Sequence, residues 1–150
     1  MLPIHKILCT TDFSEPSLKG VATASDLAKH FEAELILVNV VTPIHPAVAA
    51  ESMGSMRDNF EREMMRYAEE SLKQIEAEKI PAGVRKRHIL AYGAAADEIV
   101  ALAQKEGVDL LVIATHGWTG WRRFVFGSVA EKVVRMATCP VLTVSGPAAD

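Results

Sequence analysis

The sequence predicts an α/β fold: one domain over residues 1–150, with a doubly wound, five-stranded parallel sheet and helices on both faces. The chain has 150 residues, a length that can bury a single core. Short apolar segments rich in β-branched residues or leucine alternate with segments of helical spacing. Two short segments, ELILVNVV (34–41) and DLLVIAT (109–115), are almost continuously apolar, which is typical of strands covered on both faces.

The first half of the chain predicts two strands, each followed by a helix. IHKILCT (4–10) precedes a segment with Ser14 as its N-cap candidate and Pro16 in its first turn. One face of this helix carries Leu18, Val21, Ala22, Ser25 and Ala28.

ELILVNVV is the second strand. The next helix, at 60–79, is predicted to pack one stripe against the core, with Met64 and Met65 as core filling. The stripe is Phe60, Met64, Tyr67, Ala68, Leu72 and Ile75.

The second half continues the alternation. VRKRHIL (84–90) is the third strand, and the helix at 95–106 places Ile99, Val100, Leu102 and Ala103 inward and stops at Gly107, a C′ glycine candidate. DLLVIAT and PVLTVS (140–145) are the last strands. The helix between them carries Val129, Val133, Val134 and Met136. Strict alternation predicts right-handed crossovers.

Composition excludes several function classes. With 49% hydrophobic and 23% charged residues, the chain is typical of globular proteins, and its net charge of −3 provides no general attraction for nucleic acid or an anionic membrane. The start lacks a signal-peptide pattern, and no apolar stretch approaches the ~20 residues of a membrane span, so we expect a cytoplasmic protein. Cys9 and Cys139 lack metal-ligand spacing and are expected to be reduced, buried thiols.

A ligand crevice is expected at the carboxyl ends of the first and fourth strands, where the winding would reverse. TTDFSE and ATHGWTG leave those ends. Asp12 is placed to accept a hydrogen bond from a ligand hydroxyl, or alternatively to cap a turn or the helix. The segment at 42–56 is either a lid over the site or a tolerated insertion; both interpretations stay open.

The stretch ATHGWTGWRRFVFGS (114–128) predicts an anion site. Its glycines permit positive φ and close backbone approach, and Ser128 opens a helix with Glu131 at capping-box spacing. Free N–H groups at a helix start favour phosphate. The alternative is that Ser128 only caps its own helix.

Other residues of this stretch have weaker signals. His116 is interpreted as lining or ordering the site rather than as a catalytic base. Arg122 and Arg123 either neutralise phosphate or form a solvated or partner-contacting face, and Trp118 and Trp121 are expected to pack the loop. The sequence contains none of GxxxxGK[ST], a GxGxxG after the first strand, HExxH or GxSxG.

These residues together resemble the universal stress protein family over essentially the whole chain. ILCTTDFSEPS is similar to the family's opening. ATHGWTGWRRFVFGSVAEKVVRMATCPVLTV is similar to its nucleotide-binding signature, which reads Gly, two residues, Gly, nine residues, Gly, then Ser or Thr. The resemblance implies a Rossmann-like fold with sheet order 3-2-1-4-5.

The resemblance also implies an ATP site, with Mg²⁺ accompanying the nucleotide. Asp12 would bind ribose, and Val40 would meet adenine through its backbone. The crevice would be lined by Thr10, Thr11, Ile113 and His116. Phosphates would be bound by Gly117, Gly127, Ser128 and Val129. Ala114 replaces the first glycine of the motif, and its methyl is harmless at negative φ but obstructs any phosphate that must touch the backbone there. Gly93, Ala94 and Ala95 replace a family Gly-x-Pro.

The leading hypothesis is therefore a dimeric, ATP-responsive regulator in stress response, paired through its C-terminal strand. The first alternative is a dimeric family member that binds no nucleotide and acts through protein contacts, which Ala114 favours. The second is a slow nucleotide hydrolase, which lacks support because no catalytic pair is evident. No metal-binding residues are predicted.

Overall fold

The structure, a computed structural model, describes residues 3–43, 54–115 and 127–145. Five strands form the sheet: β1 (Lys6–Thr10), β2 (Glu34–Val41), β3 (Lys86–Tyr92), β4 (Leu110–Ala114) and β5 (Val141–Val144). Four helices connect them: α1 (Glu15–Phe31), α2 (Gly54–Glu78), α3 (Ala95–Glu106) and α4 (Ser128–Met136). All strand pairs are parallel, in the order β3-β2-β1-β4-β5, which confirms the doubly wound α/β fold.

Side chains that alternate along the strands build two core layers. Ile7 and Cys9 of β1 pack with α1 and α2 on one face of the sheet. Leu8 packs with α3 and α4 on the other. β4 alternates likewise, because Val112 joins the first layer whereas Leu111 and Ile113 join the second. Covering on both faces explains why β2 and β4 are almost continuously apolar.

Helix boundaries mostly follow the sequence signals. Ser14 is the N-cap of α1 and accepts a hydrogen bond from Ser17 N at 3.4 Å, with Pro16 in the first turn. Gly107 ends α3 at φ +63°. The third strand is shifted from the predicted 84–90 to Lys86–Tyr92, because its pairing with β2 continues as far as Val41.

The predicted packing stripe of α2 is wrong in its first half. Ala68, Leu72 and Ile75 are buried, but Phe60 is 53% exposed and Tyr67 is 63% exposed. Met64, expected as core filling, is likewise exposed. With 25 residues α2 is ~37 Å long, whereas the eight-residue β2 spans only ~26 Å, so the sheet covers one end of the helix alone.

Smaller corrections have the same origin. Of the predicted face of α1, Val21, Ser25 and Ala28 are buried and Leu18 is partly buried, but Ala22 is exposed. Ser17, Gly20 and Ala24 are also buried. In α4 only Ala130 and Val133 are buried, while Val129, Val134 and Met136 are exposed. Cys9 is buried as expected, but Cys139 is only half-buried. A helical period identifies residues that share a face, not how much of that face a neighbour covers.

A charged cluster joins α2 to β3. His88 lies between two carboxylates of α2, with Nε2 2.7 Å from Glu69 Oε1 and Nδ1 bonded to Glu76. Partial burial alone would lower the pKa of His88, but the hydrogen bonds and charges of Glu76 and Glu69 outweigh burial and raise it above its ordinary value. No local pattern in the sequence indicates these two partners of His88.

No helix in the described parts of the chain is long and apolar enough to cross a membrane. The segment proposed at 42–56 is partly helical, because α2 begins at Gly54. Residues 44–53 lie outside the described residues, so the choice between a lid and an insertion stays untested.

Candidate functional site

A cleft of about 350 Å³ lies at the carboxyl ends of β1 and β4, where the winding of the sheet reverses. Its position matches the crevice predicted from chain order. Every predicted site residue within the described ranges lines it. The lining residues are Thr10, Thr11, Asp12, Ser17, Val38, Asn39, Val40, Ala95, Ile99, Ile113, Ala114, Thr115, Gly127, Ser128, Val129 and Ala130.

The turn from β1 into α1 is fixed by its own polar side chains. Thr11 Oγ1 accepts from Phe13 N at 3.0 Å and bonds Ser17 Oγ at 2.8 Å. Phe13 adopts φ +69°, an unusual conformation for a bulky residue that commonly costs about 1–3 kcal/mol. The hydrogen bonds of Thr11 offset this strain and hold Asp12 at the cleft in a defined turn.

Asp12 caps the turn and also lines the cleft, so its predicted role toward a ligand hydroxyl stays open. Its Oδ1 accepts from Ser14 N at 3.0 Å and from Ser14 Oγ, so the carboxylate does cap the turn. The residue is nevertheless exposed and lines the cleft. Capping therefore orients the carboxylate and does not remove it from the site.

The end of β2 presents a peptide edge to the cleft. β1 stops at Thr10, level with Val38, and Val38 O accepts from Thr11 N at 2.9 Å. Peptide groups alternate between the two sides of a strand, so Val40 directs its N–H and C=O to the same side as Val38, beyond the end of β1. The side chain of Asn39 lies on the opposite face of the sheet from the side chains of Val38 and Val40. Its Nδ2 donates to Thr11 O at 2.8 Å, and this bond links the end of β2 to the turn that contains Asp12.

The start of α4 does not support the alternative interpretation, in which Ser128 only caps its own helix. Gly127 is the N-cap, Ser128 is the first helical residue, and no side-chain cap is found among the described residues. Glu131 N donates to Gly127 O at 2.9 Å, which begins the helical pattern. The N–H groups of Ser128, Val129 and Ala130 therefore precede the first intrahelical bonds, and all three residues line the cleft.

Gly127 is required for close approach rather than for positive φ. Its φ is −56°, which any residue tolerates, so the expectation of a special conformation is wrong here. Gly127 N donates to Thr115 O at 2.7 Å, and a Cβ at this position would lie 3.0 Å from that oxygen. The contact fixes the start of α4 against the end of β4.

Two neighbours at the end of β4 bear on the site. Ala114 ends the strand, pairs with Val144 and does not have positive φ, so its methyl causes no backbone strain. Thr115 is 5% exposed, and its Oγ1 is a buried side-chain atom without a hydrogen-bond partner in the described structure.

Part of the cleft lining was not expected from the sequence. Asn39 had a detectable signal, because it is the only polar residue inside the apolar run of β2. Ala95 and Ile99 had none, since they reach the cleft from α3 only after the crossovers are folded. His116, Gly117, Gly120, Trp118, Trp121, Arg122 and Arg123 lie outside the described residues, and their predicted roles stay untested.

The described site offers little for covalent or metal chemistry. Cys9, just before Thr10, is buried, and burial raises the pKa of its thiol to about 12, so it stays protonated. Across residues 3–43, 54–115 and 127–145, no group of three His, Cys, Asp or Glu side chains has the arrangement of a metal site. What the site does offer is hydrogen-bonding groups around an apolar floor.

Comparison with known proteins gives consistent matches. Residues 3–145 match the model of the Universal stress protein family. A universal stress protein of Methanocaldococcus jannaschii is 37% identical over 142 residues, which cover 95% of this chain and 82% of that protein. The solved structure of a second protein of that archaeon has a TM-score of 0.83 at 26% identity, covering 99% of this chain and 100% of that one.

Two more distant structures share the fold and contain nucleotides. A universal stress protein in complex with cAMP has a TM-score of 0.64 at 24% identity and covers 95% of this chain and 98% of its own. A universal stress protein of Archaeoglobus fulgidus in complex with dAMP has a TM-score of 0.58 at 18% identity, covering 96% and 99%.

Proposed function

The chain belongs to the universal stress protein family, and we propose that it is an adenine-nucleotide-binding member that takes ATP into the cleft. The observation that carries this proposal is the uncapped start of α4 facing a preformed cleft at the switch point of the sheet. A helix start with free N–H groups attracts phosphate through hydrogen bonds and the helix dipole. Ser128 adds a hydroxyl donor at the same place.

The other end of the cleft suits an adenine base. Val38, Val40, Ile99 and Ile113 give it apolar walls. The N–H and C=O of Val40 offer one donor and one acceptor, which complement N1 and the 6-amino group of adenine. Guanine presents the reverse pattern at the corresponding positions, so the proposal predicts a preference for ATP over GTP. Asp12 lies between the two ends, where a ribose hydroxyl would donate to it.

The size of the site and the ligands of relatives support this assignment. A cleft of about 350 Å³ falls within the range of about 300–1,000 Å³ that is usual for small-molecule sites. Adenine nucleotides, cAMP and dAMP, are bound by two proteins of the same fold. The described residues contain no cluster of metal ligands, so Mg²⁺ at this site would be coordinated by the nucleotide phosphates and by water.

We also propose that the protein is a homodimer that responds to nucleotide binding. β5 (VLTV) is an apolar edge strand of the sheet. The unpaired N–H and C=O groups of an edge strand can form hydrogen bonds with another strand. An isologous pair of β5 strands would place each α4, and therefore each phosphate-binding end, near the two-fold axis. We place this activity in the cytoplasm, where ATP is available.

The experiment begins with the nucleotide content of the purified protein. Protein is unfolded, released nucleotides are identified by mass spectrometry, and nucleotide-free protein is titrated with ATP and GTP in the presence of Mg²⁺ by calorimetry. ATP should bind more tightly than GTP. If the protein releases no nucleotide and binds neither ATP nor GTP at millimolar concentration, the alternative of a family member that acts by protein contacts alone would be supported.

Asp12→Ala locates the site. It should weaken ATP binding at least about ten-fold, because a hydrogen bond to a charged group contributes about 1.5–3 kcal/mol. Asp26→Ala is the matched control, since Asp26 is an exposed carboxylate of α1 that does not line the cleft. Equal affinity in both variants would place the nucleotide elsewhere. Melting curves of the apo variants separate lost contacts from a disturbed turn.

A further inference from the structure

Tyr67 of α2 is exposed and nevertheless makes a specific contact. It is 63% exposed, yet its ring lies edge-to-face against the ring of Phe13, with centroids 6.0 Å apart and an interplanar angle of 86°. Aromatic pairs favour this geometry, because the positive edge of one ring meets the negative face of the other. Phe13 also packs against the core layer that α1 and α2 cover. The pair therefore connects α2 to the turn between β1 and α1.

The geometry of that turn depends on Phe13. Its φ is +69°, a left-handed conformation that bulky residues rarely adopt. Asp12 Oδ1 accepts hydrogen bonds from N and Oγ of Ser14, and both bonds span Phe13. A rotation of Phe13 to negative φ would redirect the chain between Asp12 and Ser14 and break these bonds. The Asp12 carboxylate thus keeps its position only while Phe13 stays left-handed.

Two contacts hold Phe13 in this conformation. Phe13 N donates to Thr11 Oγ1 at 3.0 Å, which fixes the backbone from within the turn. The ring is held from outside by Tyr67, whose place is fixed because the next residue, Ala68, is buried. A change of φ would carry the Phe13 ring away from Tyr67. The aromatic pair therefore stabilises the left-handed form relative to its alternatives.

We propose that Tyr67 is a positioning residue for the nucleotide: its ring keeps Phe13 left-handed, and this keeps the Asp12 carboxylate at the cleft for a ribose hydroxyl. The inference rests on the proposed function. It extends the site to α2, which contributes no residue to the cleft lining in the described part of the chain. It also gives a role to an aromatic side chain that the sheet leaves exposed.

Tyr67→Ala tests this role through ATP binding. Losing an aromatic pair shifts the strained turn by about two- to ten-fold, and only the competent form binds, so ATP affinity should fall by about that factor in calorimetric titration. Tyr67→Phe keeps the ring contact and should bind ATP like the wild type. Phe60→Ala is the matched control and should not change the affinity. Phe60 is another exposed aromatic residue of α2, and it has no ring contact with Phe13 in the described structure.

A double-mutant cycle with Asp12→Ala shows whether the effect passes through the carboxylate. In the Asp12→Ala background, Tyr67→Ala should cause no further loss of affinity, because the group that it positions is gone. An equal loss in both backgrounds would show a general effect on the fold and overturn the inference. A loss for Tyr67→Phe as large as for Tyr67→Ala would assign the effect to the hydroxyl and overturn it too.

Hydrogen exchange in the apo protein separates this inference from the proposed function. The Ser14 amide bonds the Asp12 carboxylate, so its exchange rate, measured by NMR, should rise in Tyr67→Ala and stay unchanged in Phe60→Ala. If the wild type binds ATP and Tyr67→Ala leaves either this rate or the affinity unchanged, the inference alone is wrong. If the wild type binds no ATP, the proposed function is wrong. A raised exchange rate in Tyr67→Ala would then still support the hold of Tyr67 on the Asp12 turn, and an unchanged rate would overturn it.

Discussion

Ser128→Ala should weaken nucleotide binding without weakening the fold. Ser128 is the first residue of α4 and is not its N-cap, because Gly127 occupies that position and no side-chain cap is found in the part of the chain that the structure describes. Replacing serine by alanine inside a helix gains at most about 0.5 kcal/mol of intrinsic propensity. The free energy of unfolding of the apo protein should therefore stay the same or rise slightly.

Ser14→Ala is the matched control, because Ser14 is a true N-cap and bonds both Ser17 N and Asp12. Losing an N-cap costs about 1 kcal/mol. For a chain of 150 residues, the entropy of unfolding is ~0.3 kcal/mol/K, so this loss lowers the melting temperature by about 3 °C. Ser128→Ala should change it by less than about 2 °C, in the upward direction.

The binding assay completes the comparison. Calorimetric titration with ATP and Mg²⁺ should show at least about ten-fold weaker binding for Ser128→Ala, because a hydroxyl donor to phosphate is lost. The reasoning is refuted if Ser128→Ala melts as low as Ser14→Ala and still binds ATP like the wild type. Ser128 would then be a structural cap, as the alternative sequence interpretation held.

Three further predictions test the packing, the charged cluster and the sheet edge. Leu72→Ala should lower the free energy of unfolding in urea by about 2–5 kcal/mol, because Leu72 is fully buried. Met64 is exposed, so Met64→Ala should lower it by less than about 0.5 kcal/mol. Equal effects would contradict the finding that the sheet covers only part of α2. Because the pKa of His88 is raised in the folded protein, its bonds to Glu69 and Glu76 stabilise the fold fully below the unfolded pKa of 6.5, and this stability is lost as pH rises through the folded pKa. His88→Gln should therefore reduce the fall in the free energy of unfolding with rising pH, measured by urea unfolding at a series of pH values. An unchanged pH dependence would argue against the cluster. Val141→Lys on β5 should give a monomer by light scattering where the wild type gives a dimer, and a wild-type monomer at micromolar concentration would disprove pairing through β5.

Part of the site was predictable because it depends on chain order. Once the strands and helices alternate, the carboxyl ends of β1 and β4 meet at the reversal of winding, so Asp12, Ser128 and their neighbours were expected there. Asn39 and Thr115 were not. Asn39 was detectable only as a polar residue within an apolar strand. Its bond to Thr11 O and the missing partner of the Thr115 hydroxyl are not encoded by local pattern.

The strands, the helices and their order were determined by the sequence itself, because hydrophobic period and cap residues act over a few neighbours. Ser14 and Gly107 marked helix ends correctly for that reason. Tertiary structure alone decided how far each apolar face is covered, which left half of the α2 stripe in solvent, and which residue caps α4. It also paired His88 with two carboxylates of α2 and left the Thr115 hydroxyl without a partner. These outcomes depend on distances between segments far apart in the chain, which only the packed fold sets.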